Sequence, residues 1–227
     1  MWGKWIDCRV RPGARAAFAA GQRRWAAIAD QPGLVGQVGG WSPADGRALV
    51  LGLWADEPAY ERFMGERHDA VAETAAQRDT WTAIRVAAGP VVQTVPISLP
   101  DALEHAELLR VADCLLRPGR ADHFLDVQRE VWSPGMAAAG GLLAGTVTRL
   151  AADRYLVTTL WSSAEAHAAY TAEVFPGLRA RADVPADVET LTGHVLPLEP
   201  SWRVLGPGPA LSWRAAGDAP PRSRPTS

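Results

Sequence analysis

The stretch Asp7-Cys8-Arg9-Val10-Arg11-Pro12-Gly13 occurs twice in the chain. It returns as Asp113-Cys114-Leu115-Leu116-Arg117-Pro118-Gly119, at an offset of 106 residues, with five of its seven residues unchanged. The same offset preserves a phenylalanine and a glutamine that follow, Phe18 and Gln22 in the first copy. Seven identities at one offset, spread over strand, turn and helix positions, indicate that the chain contains two copies of one unit.

Length and composition limit the class of protein. The 227 residues carry a net charge of −2 and 48% of them are hydrophobic, so two units of about 100 residues can each bury a core. No apolar run reaches the roughly 18 residues of a membrane helix, and the start lacks a signal peptide, which predicts a cytoplasmic protein that binds no membrane. The arginines are scattered among acids, so no basic stripe predicts nucleic-acid binding.

The hydrophobic pattern of the first unit changes repeatedly between the strand and helix periods. The resulting order is strand, helix, strand, strand, helix, strand, which is the ferredoxin-like βαββαβ arrangement. The predicted elements are a strand at 2–10, a helix at 14–29, strands at 34–41 and 48–54, a helix that begins after a cap at Asp56, and a strand at 82–88.

The second unit follows the same order, so the predicted fold class is α+β with two ferredoxin-like repeats. The predicted domains are a first half at 1–95, a linker at 96–107, a second half at 108–205 whose last strand lies within 191–205, and a disordered tail at 206–227. A sheet with helices on one face leaves its other face uncovered, and burial of apolar area stabilises by about 25 cal/mol per Å². The second copy is the natural cover for the first.

The first unit resembles one protein superfamily. The residues that carry the resemblance are Trp5-Ile6-Asp7-Cys8, Phe18, Gln22, Trp25, the run Gly36-Gln37-Val38-Gly39-Gly40-Trp41, Trp54, Phe63-Met64 and His68-Asp69. This pattern resembles the dimeric α+β barrel superfamily, which includes antibiotic-biosynthesis and haem-degrading monooxygenases. Within it, the pattern is most similar to an uncharacterised group of small bacterial proteins. The resemblance implies an intramolecular barrel built as a pseudo-dimer, a cavity between sheet and helices in each half, and a monomer for which further homodimerisation stays open.

Two glutamines are candidate polar groups of such a cavity. Gln22 lies on the apolar face of the predicted first helix, where an unpartnered amide costs about 1–3 kcal/mol. It is either a structural amide, which its recurrence as Gln128 favours, or a catalytic donor to a substrate carbonyl or to dioxygen. Gln37 lies on the glycine-rich second strand with the same two alternatives, and its glycine neighbours would let a flat ligand approach the backbone.

His68 is the leading catalytic candidate, because imidazole titrates near neutral pH and can ligate iron. The alternative is a helix-margin histidine held by Asp69 or by solvent. The equivalent position in the second copy falls near Phe175, so a function that depends on His68 belongs to the first half alone. Haem-degrading relatives usually carry an asparagine on the first strand and a Trp/His pair on the second helix, a pattern that this sequence lacks. Haem degradation is therefore not expected, whereas haem binding through His68 stays open.

Apolar side chains in the first half would supply the substrate-binding surface. They are core residues by default, yet so many wide, flat side chains also suit a pocket for a planar ligand. The predicted substrate-binding residues are Trp5, Trp25, Gln37, Trp41, Trp54, Phe63 and Met64.

The sequence contains no phosphate loop and no flavin or nicotinamide fingerprint. We therefore expect a monooxygenase-like enzyme that acts on a small or polycyclic aromatic substrate in the first-half cavity, either without a cofactor or with haem. The alternative is a non-catalytic barrel that binds a hydrophobic ligand or haem. No metal site is predicted apart from His68 if haem binds.

Overall fold

The computed structural model describes residues 1–95 and 98–207, and its first half has the predicted order of elements. Two predicted helices are each divided: the first continues as a 3₁₀ turn, and the second is split into two helices. The elements are β1 Trp2–Val10, α1 Arg15–Arg24 with the turn Trp25–Ile28, β2 Leu34–Trp41, β3 Ala48–Trp54, α2 Glu57–Glu66, α3 His68–Ala75, a 3₁₀ turn Arg78–Thr80 and β4 Trp81–Thr94.

The second half repeats this order after a connecting helix. Its elements are α4 Leu99–His105, β5 Leu108–Leu116, α5 Ala121–Val127, a π-helical turn Gln128–Trp132, α6 Ser133–Ala138, β6 Leu142–Ala151, β7 Arg154–Trp161, α7 Ala164–Glu173, α8 Phe175–Ala182, α9 Val184–Asp187, β8 Val188–Pro197, a 3₁₀ turn Pro200–Trp202 and β9 Val204–Leu205. None of the helices within 1–95 and 98–207 is long and apolar enough to cross a membrane.

The break between α2 and α3 positions the leading candidate residue. The cap at Asp56 is as predicted, because its Oδ1 accepts a hydrogen bond from the Ala59 amide at 2.8 Å. Helix α2 ends at Glu66, and Arg67 leaves helical geometry at φ −128°. His68 therefore begins a new helix.

The two halves form one sheet system, in which the described strands pair in the order β8-β5-β7-β6-β4-β1-β3-β2-β9. The predicted end of β4 at residue 88 was too early, because the strand continues and pairs with β6 from Val91↔Thr148 to Thr94↔Thr146. At the other seam, the Glu199 amide donates to the Gly39 carbonyl at 2.8 Å. The predicted α+β barrel of two ferredoxin-like halves is confirmed.

The connection between the halves is more ordered than the sequence suggests. Within the predicted linker 96–107, of which 96 and 97 lie outside the described residues, α4 buries Leu99 and Leu103 in the core. The predicted last strand is divided: β8 ends at Pro197, and β9 pairs with β2 of the first half. Of the predicted tail, 206 and 207 are described, and 208–227 lie outside the described residues.

The largest core lies between the strands of the first half and the strands of the second half. Trp5 of β1 packs there with leucines and valines of both halves, including Leu51, Leu109 and Val111. The repeated aspartates lie in ion pairs that also repeat: Asp7 with Arg47 at 2.7 Å, and Asp113 with Arg154 at 2.5 Å. These contacts explain much of the duplicated stretch as architecture.

The offset between equivalent residues of the two copies changes from 106 to 107 within the first helical segment. A π-helical turn accommodates one additional residue, and Gln128–Trp132 has that geometry. Beyond this turn, contacts in the two copies correspond at an offset of 107 residues. The ring centroids of Trp25 and His68 lie 5.6 Å apart, and those of Trp132 and Phe175 lie 5.6 Å apart as well. Trp132 is therefore the counterpart of Trp25.

Candidate functional site

A cavity of about 720 Å³ lies in the first half, between the sheet and the helices α1 and α3. Its floor comes from β1 to β4, and its rim includes the acids Asp69 and Glu73. Five aromatic side chains line it: Phe18, Trp25, Trp54, Phe63 and Trp81. A space of this size with aromatic walls is typical of a site for a small planar molecule.

Three residues stand side by side across the floor. Strand pairing aligns Gln37 with Gly52 and Gly52 with Lys4. Directly paired residues of neighbouring strands point to the same face of a sheet, about 5 Å apart. Gly52 has no side chain, so a gap lies between Lys4 and Gln37 on the cavity side.

Lys4 is the most unusual residue of this floor. Its side chain is only 8% exposed, and no carboxylate among the described residues lies within 4 Å of it. Its Nζ lies 3.5 Å from the Met64 sulfur and 5.6 Å from the centre of the Tyr60 ring. Burial lowers the pKa of the Lys4 amine from 10.5 to about 8, because removal from water disfavours the charged form.

Gln37 is also buried without its full set of partners. It is 7% exposed, and its Nε2 has no hydrogen-bond partner in the part of the chain that the structure describes. The sequence suggested that the glycines near Gln37 leave room for a flat ligand, but protein atoms already lie against them. A Cβ on Gly36 would lie 2.9 Å from a Leu103 methyl carbon, and one on Gly40 would collide with the Pro197 carbonyl. The glycine-rich strand therefore serves contact between the halves, while Gln37 itself lines the cavity.

His68 lies at the rim of the cavity. Its ring is 5.6 Å from Trp25 and 5.8 Å from Phe63, between centroids, and its side chain is 23% exposed. Nδ1 is 2.9 Å from an oxygen of Asp69. Since a carboxylate accepts, Nδ1 carries the hydrogen in this contact and the neutral ring keeps its lone pair on Nε2. His68 can thus act as a base through Nε2.

Gln22 lines the same cavity but belongs to a hydrogen-bond network. Gln77 donates from Nε2 to the Gln22 Oε1 at 3.3 Å and to the Phe18 carbonyl at 3.0 Å. The Gln77 Oε1 in turn accepts from the Trp25 indole at 2.9 Å. These contacts favour the structural alternative for Gln22. Gln77 was not among the sequence candidates, because its role depends on the path of the chain after α3.

Three predicted substrate-binding residues lie outside the cavity lining. Trp5 points to the opposite face of β1, into the core between the sheets, because strand side chains alternate. Trp41 packs against Phe18 and Trp202, with ring centroids 5.6 and 5.1 Å away. Met64 is half-buried behind Lys4, where its sulfur contacts Nζ. Of the predicted set, Trp25, Gln37, Trp54 and Phe63 line the cavity.

Cys8 also lines the cavity, and it is an inert thiol there. Burial, with a smaller contribution from the Asp7 charge, raises the pKa of Cys8 to about 12. Its counterpart Cys114 has a pKa of about 12 as well, again chiefly through burial. Both are free and buried, and neither is a thiolate at neutral pH.

The equivalent space in the second half is nearly filled. Only about 50 Å³ remains between Arg110, Phe124 and Gln128, the counterparts of Lys4, Phe18 and Gln22. Buried side chains of Trp132 and Met136, from the π-helical turn and α6, occupy the volume. The open cavity is thus a property of the first copy.

Fold and cavity together define a class: a dimeric α+β barrel with both halves in one chain. A protein of Lactobacillus acidophilus NCFM called a "putative monooxygenase" has this fold with a TM-score of 0.69, at 10% identity over 90% of this chain and 95% of that one. An anthrone oxidase-like protein has it with a TM-score of 0.60, at 15% identity over 87% of this chain and 91% of that one.

The sequence comparisons identify the family. Residues 3–88 match the domain of unknown function DUF4937. The uncharacterized protein YdbC of Bacillus subtilis (strain 168) is 30% identical over 86 residues, which are 37% of this chain and 72% of that protein. The chain belongs to this family through its first half, the half that holds the open cavity.

Proposed function

We propose that the chain is a monooxygenase-like enzyme that takes a small or polycyclic aromatic substrate into the first-half cavity and oxidises it with dioxygen. The observation that carries the proposal is the difference between the copies. One copy keeps an aromatic cavity of about 720 Å³ with a histidine at its rim, while the other fills the same place and has Phe175 where His68 stands.

The chemistry needs a base and a substrate that can store negative charge. His68 would take a proton at Nε2 from an acidified C–H of the substrate, and the carbanion would pass electrons to dioxygen. For anthrone, the balanced reaction is anthrone plus dioxygen to anthraquinone plus water, with no added reductant. Anthrone is the first substrate to test because a solved protein of this fold is called anthrone oxidase-like.

The aromatic walls would hold the substrate plane. Trp54 and Phe63 are stacked, with centroids 4.8 Å apart and planes at 26°, and Trp25 is held by its indole bond to Gln77. Gln22 would act as a positioning residue, since its amide oxygen is already bound to Gln77. Trp25 and Phe63 are the parts of the wall beside the proposed base, His68.

Haem is the alternative oxygen-activating group, and the residues could hold it through His68. Among the described residues, His68 is the only histidine that lines the cavity. Its Nδ1 contacts Asp69, and its Nε2 has no hydrogen-bond partner among those residues. Haem would supply oxygen activation. The rim acids Asp69 and Glu73 would repel the propionates of a porphyrin, so we place the cofactor-free reaction first.

A non-catalytic ligand carrier is the second candidate. It is favoured by the chemistry of the cavity floor, where Lys4 and Gln37 present donors and the Cys8 thiol is protonated. If His68 only lines the rim, the cavity would bind an aromatic ligand without turnover.

Oxygen uptake by the purified full chain separates these functions. We expect uptake with anthrone without added cofactor, and His68→Ala should lower the rate about a hundredfold or more, the usual contribution of a general base. His105→Ala, at an exposed histidine of α4, is the matched control and should retain the full rate. A Soret band lost in His68→Ala would establish haem instead. Binding without uptake over a panel of quinols and anthrones would establish the carrier, and unchanged uptake in His68→Ala would refute the role of His68.

A further inference from the structure

The two copies carry different residues across the middle of the cavity floor. In the second copy, strand pairing places Gly145, Thr159 and Arg110 side by side, where the first copy has Gln37, Gly52 and Lys4. The indole Nε1 of Trp161 donates to the hydroxyl oxygen of Thr159 at 2.9 Å. The second copy therefore fills this place with an oxygen acceptor of its own.

The first copy has the equivalent indole donor but no hydroxyl group that could accept its hydrogen bond. Trp54 corresponds to Trp161, and its ring packs on Phe63 much as Trp161 packs on Tyr170, with centroids 4.8 and 4.9 Å apart. A Cβ built on Gly52 would lie 3.8 Å from the Trp54 Nε1 and 3.9 Å from the Lys4 Cβ. The space that the threonine hydroxyl fills in one copy is open to the cavity in the other.

Two further residues that carry donor groups flank the same gap. The Gln37 Nε2 has no partner among the described residues, and the Lys4 ammonium contacts only a sulfur and an aromatic ring. An unpartnered buried amide costs about 1–3 kcal/mol, and a buried charge costs more unless an opposite charge meets it. An oxygen acceptor with negative charge would satisfy all three donors, whereas a cation or an apolar group would satisfy none.

We propose that the gap above Gly52 is an oxyanion site that binds the ionised oxygen of an aromatic ligand, with Lys4, Gln37 and Trp54 as donors. This inference rests on the proposed use of the first-half cavity as a ligand site and names the class of ligand: an arene that carries a phenolate, enolate or carboxylate group. If the ligand is a substrate that the enzyme oxidises, the same site would stabilise the enolate that forms when His68 removes a proton from it.

Binding of matched probes to the full chain tests the site, with tryptophan fluorescence and calorimetry as readouts. The probes are 2-naphthoate and 2-naphthamide, which are alike in size and differ in charge, and 4-nitro-1-naphtholate as a phenolate. We expect at least a tenfold preference for an anion over the amide. The naphthoate and naphtholate affinities show whether the carboxylate or the phenolate is the better ligand.

Three variants assign the preference to the gap. Lys4→Met should abolish the preference for the anion while naphthamide still binds, and Gln37→Leu should reduce it. Gly52→Thr, which copies the second half, should fill the gap and lose the anion while circular dichroism and thermal unfolding show an intact fold. Arg9→Met removes an exposed charge from the same strand and should change nothing.

The outcomes separate this inference from the proposed function. Equal affinity for naphthoate and naphthamide in the wild type, or an undiminished anion preference in folded Lys4→Met and Gly52→Thr, would overturn the oxyanion site while leaving an aromatic cavity in place. Failure of every probe to bind, together with no oxygen uptake, would refute the proposed function itself.

Discussion

Replacement of Lys4 by methionine should stabilise the fold at neutral pH. The side chain is 8% exposed, with no acid partner among the described residues, and its pKa falls from 10.5 to about 8 on burial. At about 1.4 kcal/mol per pKa unit, keeping this amine charged lowers the stability of the folded chain by about 3 kcal/mol. Methionine has a similar length and no charge, so Lys4→Met should raise the free energy of unfolding by up to about that amount.

The gain should depend on pH in a defined direction. Below pH 8 the amine is charged in both the folded and the unfolded chain, so burial of the charge destabilises the wild type by the full amount. Between pH 8 and 10.5 the unfolded chain binds more protons than the folded one, so wild-type stability rises relative to Lys4→Met. Above pH 10.5 the difference should vanish. The raised pKa values of Cys8 and Cys114 affect both proteins alike and cancel in the comparison.

Urea unfolding at a series of pH values measures this difference. Lys4→Arg is the matched control, because a guanidinium stays charged over the whole range and gains nothing at high pH. Lys4 is the only lysine in the sequence, so the pH dependence of amine acylation, read by mass spectrometry at this site, gives its pKa independently. A Lys4→Met variant that is less stable at pH 7, or a difference that does not change up to pH 10.5, would refute the reasoning.

Three other outcomes follow from the packing. Trp202→Ala should lower the free energy of unfolding by about 3–5 kcal/mol in urea titration, because this 1% exposed side chain from the second half packs in the first, and a loss below about 1 kcal/mol would contradict that. Cys8 and Cys114 should not react with iodoacetamide at pH 8 in the native chain and should react fully in denaturant; fast native labelling would contradict their raised pKa values. A chain cut to residues 1–95 exposes Trp5 and should form a homodimer or aggregate by light scattering, whereas a stable monomer would show that the second half is not a required cover.

The architecture could be predicted from the sequence because duplication is recorded in residue identities. The repeated Asp-Cys and Arg-Pro-Gly positions and the strand and helix periods gave two ferredoxin-like halves, and Phe175 opposite His68 already indicated that the copies differ. The predictions were less successful where tertiary contact decides the outcome. β4 runs past residue 88 because it pairs with β6, and α4 forms where a linker was expected because it buries Leu99 and Leu103.

The candidate site was predicted in part. Trp25, Trp54, Phe63 and His68 line the cavity as expected, whereas Trp5 does not. An aromatic side chain on a strand suits either face, and only the packing of the second sheet shows which face is core.

Lys4 and Gly52 were missed for a different reason. Neither is unusual alone, and their meaning comes from the register that places Gly52 between Lys4 and Gln37. The repeat did carry a signal, since an offset of 107 sets Gly52 against Thr159.

A crystal structure of the full chain grown with 2-naphthoate tests the central claim most directly. We predict one ligand in the first half, with its ring between Trp54 and His68 and its carboxylate above Gly52, within hydrogen-bond distance of Lys4 and Gln37. The second-half space should hold none, because only about 50 Å³ remains there. Ligand in the second half, or a first-half ligand whose carboxylate points away from Gly52 into solvent, would contradict the account.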